Sequence, residues 1–257
     1  MDFILSAIAW LFDPANYVAG SQSPLPIQDR IGEHLQYTFV SVVIAALIAL
    51  PLGFYIGHTG RGRQFVISFT GAMRALPTLG LLMALLLIVG GFVGFTQASF
   101  LASVIAFVIL AIPSTLAGAY AGLESVDRAT IDAARANGMT ELQILTKVEI
   151  PLALPLIIGG LRASTLQVLS TVVVASYISL GGLGAIISSG IGLNDNNRIL
   201  GGAILVTVLA LVVDGLFALL QRLTRSRGGV QAEKKKNVRT LPSRQPAVVG
   251  QSTDEGK

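Results

Sequence analysis

Three ionisable residues stand within or at the edge of long apolar stretches of this chain, where a charge is costly and usually faces protein or water. They are Arg74, Arg162 and Asp214. Arg162 and Asp214 can form an ion pair that stabilises helix packing. Alternatively, Arg74 or Arg162 can stand at a polar gate in a passage. The sequence leaves both interpretations open.

Hydroxyl side chains form a second group of candidates, all on one apolar stretch. The group consists of Ser164, Thr165, Ser170, Thr171 and Ser176. Ser164, Thr171 and Thr165 can share a face of a helix, because helical periodicity brings such positions to one side. A face of this kind suits the lining of a passage for a small solute. Membrane helices also use hydroxyl residues simply for packing, so both roles stay open.

No set of residues suited to catalysis is visible. The absence of cysteine excludes disulfides, iron–sulfur clusters and thiol chemistry. His34 and His58 lie at the two ends of one apolar stretch, too far apart to share a metal ion. No Ser/His/Asp arrangement, metal-spaced cluster or phosphate-binding loop is present either. The sequence therefore predicts a protein that is not an enzyme and that holds no metal or cofactor of its own.

The chain that must position these residues is predominantly apolar. Hydrophobic residues make up 53% and charged residues 12% of it, the latter about half the usual share of a soluble protein. Each long apolar stretch can cross a hydrocarbon core of about 30 Å as a helix, and its continuous apolarity excludes a barrel strand. The five predicted spans are 35–57, 74–93, 98–121, 154–180 and 199–221.

The distribution of lysine and arginine predicts how these spans are oriented. Basic residues follow spans one, three and five, whereas the opposite loops contain only Arg30 and Arg198. By the positive-inside rule, the N-terminus lies outside and the C-terminus in the cytoplasm. The net charge of +4 therefore reflects topology and not binding to nucleic acid. Residues 222–257 are expected to form a basic, disordered cytoplasmic tail.

Residues 1–34 precede the first span. Residues 1–12 are apolar but too short to cross a membrane, and Asp2 stands where a signal peptide carries a cation. We expect an interfacial helix with Trp10 and Phe12 at the level of the headgroups. An elbow packed on the protein itself is the alternative. Residues 13–33 are expected to be an extracytoplasmic loop.

Proline recurs in four of the predicted spans. The four residues are Pro51, Pro77, Pro113 and Pro155. Each removes a backbone hydrogen bond and kinks the helix that contains it. Kinked helices suit a cavity that opens to alternate sides, although proline is common in membrane helices in any case.

The longest polar interval between two apolar stretches joins spans three and four. Ser125 is expected to cap a first helix there, and Gly138 to end it in the left-handed conformation. Thr140 and Gln143 fit a capping box that opens a second helix, which Pro151 is expected to close. Two capped helices with both signs of charge indicate a docking element and not a simple connector.

The same interval resembles the EAA loop of ABC importer permeases. The matching positions are Asp132-Ala133-Ala134, then Gly138 and then Ile150-Pro151, with Asp132 in place of the family's glutamate. The resemblance implies that residues 122–153 contain the coupling helix that docks on a cytoplasmic ATPase. The implied coupling residues are Asp132, Ala133, Ala134, Gly138, Glu141 and Pro151.

Two further segments are similar to permeases of the glycine betaine/carnitine/choline (osmoprotectant) importers. The first is the run Ile178-Ser179-Leu180-Gly181-Gly182-Leu183-Gly184. The second is Arg74-Ala75-Leu76-Pro77-Thr78-Leu79, which resembles Gln-Thr-Ile-Pro-Ser-Leu in that family and departs from it at Arg74. Methionine importer permeases share the Gly-Gly-Leu-Gly element, so the solute remains open.

This resemblance implies an all-α membrane protein, a five-transmembrane-helix type I ABC importer permease over residues 35–221. It also implies a prokaryotic inner or plasma membrane, a pair of ATPases that bind ATP and magnesium, an extracytoplasmic binding protein, and a second copy or similar permease. An autonomous channel or secondary transporter is the alternative from another class. The capped loop and the lack of a cluster of intramembrane acids disfavour that alternative.

Overall fold

Every regular element in the structure is helical, in keeping with a chain whose apolar stretches must satisfy their backbone hydrogen bonds internally. The computed structural model describes residues 2–18 and 25–225. The first helices in chain order are α1 (Asp2–Leu11), α2 (Ile27–Thr59), α3 (Arg63–Arg74), α4 (Thr78–Val93) and α5 (Phe95–Glu124). They are followed by α6 (Arg128–Ala136), α7 (Glu141–Ile144), α8 (Ile150–Val174), α9 (Gly182–Leu193) and α10 (Asn196–Arg225).

Shorter helical turns connect some of these elements. A 3₁₀ turn covers Pro14–Tyr17, a π-helix covers Leu145–Glu149, and a second 3₁₀ turn covers Ala175–Ile178. The π-helix continues directly into α8, and α8 continues directly into the second 3₁₀ turn. The backbone is therefore helical from α7 through Ile178.

Helix α5 lies at the centre of the bundle and packs against α2, α4 and α8. Small residues permit this close packing: a Cβ built on Gly118 of α5 would lie 2.5 Å from the Cα of Gly160 on α8. The α5–α8 contact therefore leaves no room for a side chain at either glycine. Elsewhere in the core, Leu82 of α4, Phe107 of α5 and Val168 of α8 are completely buried in one cluster.

Four helices are long and apolar enough to cross a membrane within the described residues, and a fifth exists if α3 and α4 count as one bent span. The four are α2, α5, the helix from α7 to Ile178, and α10. Their length and composition agree with the five predicted spans.

Span two differs from its prediction as one helix over 74–93. Helix α3 ends at Arg74, α4 begins at Thr78, and the two axes are bent by 87°. Pro77 lies before α4 with an extended backbone and therefore does not kink a helix from within. The physical reason is that a proline disfavours the helical conformation of the residue before it, here Leu76. Pro51, Pro113 and Pro155 lie inside helices, as predicted.

Three other boundaries are corrected. Helix α2 begins at Ile27, so the expected loop over 13–33 is shorter and Glu33 is helical. Pro151 does not close a helix; it lies within the continuous helix from α7 to Ile178, two residues after the π-helix Leu145–Glu149 ends. Helix α10 continues to Arg225, and the rest of the expected tail, 226–257, lies outside the described residues.

The N-terminal helix α1 packs against α10, so the packed-elbow alternative describes its contacts. Ala7 is buried, and a Cβ on Gly201 would lie 2.6 Å from the ring of Trp10. The opposite face exposes Ile4 and Leu5. Helix α9 was not expected; it packs against α10 and α2.

Candidate functional site

The predicted docking loop consists of α6 and α7, and its first cap is not the expected one. Asp127 has an extended backbone and its carboxylate accepts a hydrogen bond from the N–H of Ala129 at 3.1 Å, as an N-cap residue does. Ser125 has a helical backbone, and its hydroxyl donates instead to the carbonyl of Gly122 at 2.7 Å. Helix α6 therefore begins after Asp127.

Two further local predictions for this loop, the left-handed Gly138 and the capping box of Thr140, are confirmed. Gly138 follows α6 with φ of +79°, the left-handed conformation that glycine adopts cheaply. The capping box of α7 is complete, because Thr140 N–H donates to Gln143 Oε1 at 2.9 Å and Gln143 N–H donates to Thr140 Oγ1 at 3.4 Å. Local sequence signals thus determine the turn between α6 and α7.

Most of the implied coupling residues lie on the surface of this loop. Asp132, Ala133, Gly138 and Glu141 are exposed, as is Pro151 at the start of α8. Ala134 differs from them: it is only 8% exposed and faces the protein. An approaching partner therefore meets Ala133 and not Ala134.

The charges on the loop are paired with one another. Arg135 donates from Nη1 to Asp132 at 3.1 Å and from Nε and Nη2 to Glu141 at 2.9 and 3.1 Å. The hydrogen bond and charge of Glu141 raise the pKa of Arg135, and Arg135 in turn lowers the pKa of Glu141. Arg135 thereby connects the end of α6 to the start of α7.

A contact between a histidine and a buried carboxylate ties this loop to the end of α2, and sequence reasoning missed it. The Nδ1 of His58 lies 2.5 Å from Oε2 of Glu149, and its Nε2 lies 3.4 Å from Oε2 of Glu141. Glu149 is only 3% exposed. His58 and Glu149 are 91 residues apart in the chain, so no local pattern connects them. The one available signal was a carboxylate directly before an apolar stretch.

A polar cleft of about 410 Å³ opens beside these residues, between α2, α5 and α6. Its charged lining includes His58, Arg63, Glu124, Arg128, Asp132, Arg135 and Glu149. The Nη1 of Arg63 lies 2.9 Å from Oε1 of Glu124 on the cleft's rim. We call this region, with α6 and α7, the α6 end of the bundle.

The two intramembrane candidates Arg162 and Asp214 form the ion pair that one interpretation predicted. Nε and Nη2 of Arg162 each lie 2.6 Å from an oxygen of Asp214, which joins α8 to α10. Gln221 accepts from Arg162 at 3.2 Å and donates to the carbonyl of Pro155 at 3.1 Å. The side chains of the pair are about one-third exposed. Arg74 ends α3, and its side chain lies outside the described part of the chain.

The hydroxyl candidates are mostly used for packing within the chain. Thr115 of α5 donates to Oγ of Ser164 at 3.0 Å, and both residues are buried. Thr165 and Thr171 are each 8% exposed and donate to carbonyls of their own helix. Ser170 is exposed and Ser176 is half-buried. A role in lining a passage stays a prediction for this set.

The opposite end of α2 is joined to the segment before α9 through backbone groups. Glu33 pairs with Arg30 at 2.9 Å and accepts from the N–H of Gly182 at 2.8 Å. His34 accepts from the N–H of Leu183 at 3.3 Å through Nδ1, and its Nε2 lies 3.0 Å from the carbonyl of Leu169. Because a carbonyl only accepts and an amide N–H only donates, these contacts select the neutral imidazole with the proton on Nε2. We call this region the α9 end.

Metal ligands do not cluster in the described ranges 2–18 and 25–225, where no group of three or more His, Cys, Asp or Glu could hold an ion. The two histidines are each engaged in the contacts given above and stand at opposite ends of α2.

Comparison with known proteins identifies relatives over most of the chain. Residues 49–226 match the profile of a family described as binding-protein-dependent transport system inner membrane component. The glycine betaine/carnitine/choline transport system permease protein OpuCB of Bacillus subtilis (strain 168) is 32% identical over 199 residues, covering 77% of this chain and 88% of that protein. The carnitine transport permease protein OpuCB of Listeria monocytogenes is 34% identical over 182 residues, covering 71% and 80%.

Solved structures share the fold. The MetNI methionine ABC transporter in an inward-facing conformation matches with a TM-score of 0.66 at 22% identity, covering 77% of this chain and 95% of that chain. An amino acid ABC transporter solved with histidines matches with a TM-score of 0.58, covering 78% and 93%. The predicted fold class, that of a type I ABC permease, is confirmed.

Proposed function

The chain belongs to the family of binding-protein-dependent transport system inner membrane components, and we propose that it is the permease through which an ATP-driven importer moves a small quaternary-ammonium solute. One observation carries the solute class. Relatives that are 31 to 34% identical over about three quarters of the chain are named for glycine betaine, carnitine or choline transport. The α6–α7 loop is the element that we assign to contact with the ATPase of such an importer.

We propose that the α6–α7 loop docks on a separate ATPase, which binds ATP and magnesium and carries out hydrolysis. Gly138 and the capping box hold two short helices in a defined turn, and Ala133 offers a small exposed side chain for close approach. Asp132 is 71% exposed and can exchange its bond to Arg135 for a cation of the partner. Asp132, Ala133, Gly138 and Glu141 are thus the residues that we assign to docking.

The docking assignment has a direct test. Ala133→Trp should reduce co-purification of the ATPase and solute uptake, since a bulky side chain prevents close approach. Ala134→Trp is a poorer probe, because Ala134 faces the protein and a large side chain there disturbs the fold. Gln64→Trp, exposed on α3, is the control and should leave both quantities unchanged. Unchanged uptake with Ala133→Trp would refute the assignment.

The proposal places the α6 end in the cytoplasm and the N-terminus on the other side of a prokaryotic inner membrane. The support is the distribution of lysine and arginine, which are concentrated after spans one, three and five. An extracytoplasmic binding protein would then approach the α9 end. A second permease, either another copy or a similar chain, completes the passage in this proposal.

We assign selection of the solute mainly to the binding protein. A quaternary ammonium group is best held by aromatic faces, and Phe107, Tyr177 and Phe217 lie on three different helical segments of the spans. Tyr37 and Phe100 do pair, with ring centroids 5.9 Å apart, but two rings do not enclose a cation. Phe107 is completely buried, whereas Tyr177 is 60% exposed on another helical segment. The permease would then provide a passage that binds the solute weakly. The candidates for contact with the solute are Arg162, Asp214 and the exposed Ser170.

The test of the function is uptake by the reconstituted complex of permease, ATPase and binding protein. Labelled glycine betaine, choline, carnitine and methionine are supplied with and without the binding protein. We expect uptake of at least one quaternary-ammonium solute that requires both ATP and the binding protein. Uptake of methionine alone would overturn the solute class. Uptake by the permease alone would favour an autonomous channel or secondary transporter.

A further inference from the structure

Four charged or polar side chains at the α6 end form one continuous junction between α2, α6, α7 and the start of α8. The His58 junction consists of His58, Glu149, Glu141 and Arg135. His58 contacts Glu149 at 2.5 Å and Glu141 at 3.4 Å, and Arg135 contacts Glu141 at 2.9 Å. The other ion pairs of the described residues lie elsewhere: Arg63–Glu124 joins α3 to α5, and Arg162–Asp214 joins α8 to α10.

The buried member of the junction is placed by an unusual turn of helix. Glu149 ends the π-helix Leu145–Glu149, in which the N–H of Ile150 donates to the carbonyl of Leu145. One additional residue in a turn rotates the following side chains by about 100°, and such turns are frequent at functional sites. Here the turn directs a carboxylate that is 3% exposed at His58 of another helix.

Helix α2 is suited to carry a displacement from one end of the protein to the other. Its 33 residues span about 50 Å at the α-helical rise. His58 binds the α7–α8 region at one end, and at the other Glu33 and His34 bind the N–H groups of Gly182 and Leu183. A shift of the α6–α7 loop at His58 therefore reaches the α9 end through a single helix.

We propose that His58 is a positioning residue through which α2 follows the α6–α7 loop, so that movement driven by the ATPase reaches the α9 end along span one as well as along α8. The inference rests on the proposed function. His58 touches no solute and no nucleotide; it acts through Glu149. Loss of the contact leaves the loop docked on the ATPase but releases α2 from it, and hydrolysis then proceeds with less transport.

The test is the number of solute molecules imported per ATP hydrolysed by the reconstituted complex. In His58→Ala we expect ATP hydrolysis to continue while this ratio falls about two- to thirtyfold, the range that residues along a coupling network produce. Arg63→Ala is the matched control. It removes the exposed Arg63–Glu124 pair at the same end, which joins α3 to α5 and not to the loop, and should leave the ratio unchanged.

Two conservative variants separate positioning from a general packing effect. Asparagine places an amide N–H close to the position of Nδ1, which faces Glu149, whereas glutamine places it close to the position of Nε2, which faces Glu141. Compared with His58→Ala, His58→Asn should therefore recover much of the solute imported per ATP, and His58→Gln should recover less. His58→Ala and Glu149→Ala are also combined in one protein. The number of solute molecules imported per ATP should fall no further in this double variant than in either single variant, as expected for partners in one contact.

The wild-type complex separates the two proposals. If it imports no solute with ATP and binding protein, the proposed function is wrong. If it imports solute and His58→Ala keeps the wild-type ratio, the inference alone is wrong. His58→Asn performing no better than His58→Ala, or a double variant whose loss is the product of the two single losses, would also overturn it.

Discussion

The two ends of α2 each carry a histidine, and each histidine is held by a different kind of partner. At the α9 end, His34 is completely buried and contacts the carbonyl of Leu169 and the N–H of Leu183. At the α6 end, His58 contacts the carboxylates of Glu149 and Glu141. One end is attached to the backbone of its neighbours and the other to their side chains.

This difference predicts different tolerance to change at the two ends. Backbone donors and acceptors cannot move without deforming a helix or loop, so the α9 end should respond to substitution chiefly by losing stability. Apart from the buried Glu149, the charged side chains of the α6–α7 loop are exposed, and exposed charges can exchange partners at little cost because water and salt compensate them. The α6 end should therefore keep its fold and change its coupling to other proteins.

The largest expected effect is at Gly181 of the α9 end. Gly181 has φ of +97°, and a Cβ there would lie 2.8 Å from Oε2 of Glu33 and 2.9 Å from Nη1 of Arg30. Gly181→Ala should lower the free energy of unfolding by about 2–6 kcal/mol, since backbone strain costs about 1–3 kcal/mol and displacing Glu33 from the N–H of Gly182 costs about 1–3 kcal/mol more. Thermal unfolding of the detergent-solubilised protein measures it.

Gly192→Ala is the control for that measurement. Gly192 lies in α9, and a Cβ there meets no atom within 4 Å. Its melting temperature should stay close to that of the wild type. Equal melting temperatures for the two variants would show that the α9 end is not crowded as the structure indicates.

Replacement of His34 is expected to have the next largest effect. His34→Leu removes the acceptor of the Leu183 N–H and the partner of the Leu169 carbonyl. A buried N–H that is left without an acceptor lowers the free energy of unfolding by about 1–3 kcal/mol. The melting temperature should therefore fall. His34→Gln, whose amide can both donate and accept, should recover part of the loss. A more stable His34→Leu protein would contradict the assigned hydrogen bonds.

Gly138 provides the matched test at the α6 end. It has a positive φ of +79°, as Gly181 has one of +97°, but a Cβ there meets no atom within 4 Å. Gly138→Ala should therefore cost only backbone strain, about 1–2 kcal/mol, and less than Gly181→Ala. The two variants are compared in one unfolding experiment. A larger loss of unfolding free energy in Gly138→Ala than in Gly181→Ala would contradict the predicted difference between the two ends.

The smallest effect on stability is expected for Arg135. Its bonds to Asp132 and Glu141 connect side chains that are all more than half exposed, and such pairs contribute little because water and salt screen them. Arg135→Ala should leave the melting temperature within replicate scatter at both low and high salt. A clear loss of stability that persists in high salt would mean that the α6 end is held as firmly as the α9 end.

Local patterns predicted some parts of the site correctly and others wrongly. The capping box of Thr140 and the left-handed Gly138 followed from residue types within a few positions of one another, and both are confirmed. Ser125 failed as a cap because Asp127, two residues later, is an equally good capping residue. Composition alone cannot decide between two such candidates.

The break at Pro77 and the continuity at Pro151 show the same limit for proline. Both residues lack an N–H, yet Pro77 lies at a sharp bend between two helices and Pro151 lies inside a continuous helix. Pro77 itself has an extended backbone, whereas Pro151 follows a π-helix that continues into α8. Residue type predicts a disturbance in the helix but not its form.

The sequence by itself determined the spans, the family resemblance and the α6–α7 turn, because apolar length, charge distribution and helix caps are local properties of a chain. It also offered the Arg162–Asp214 pair as an alternative, since two opposite charges in apolar stretches need partners. Only the tertiary structure decided which partners His34 and His58 take. Their contacts join residues 83 to 149 positions apart, and helical periodicity carries no information over such distances.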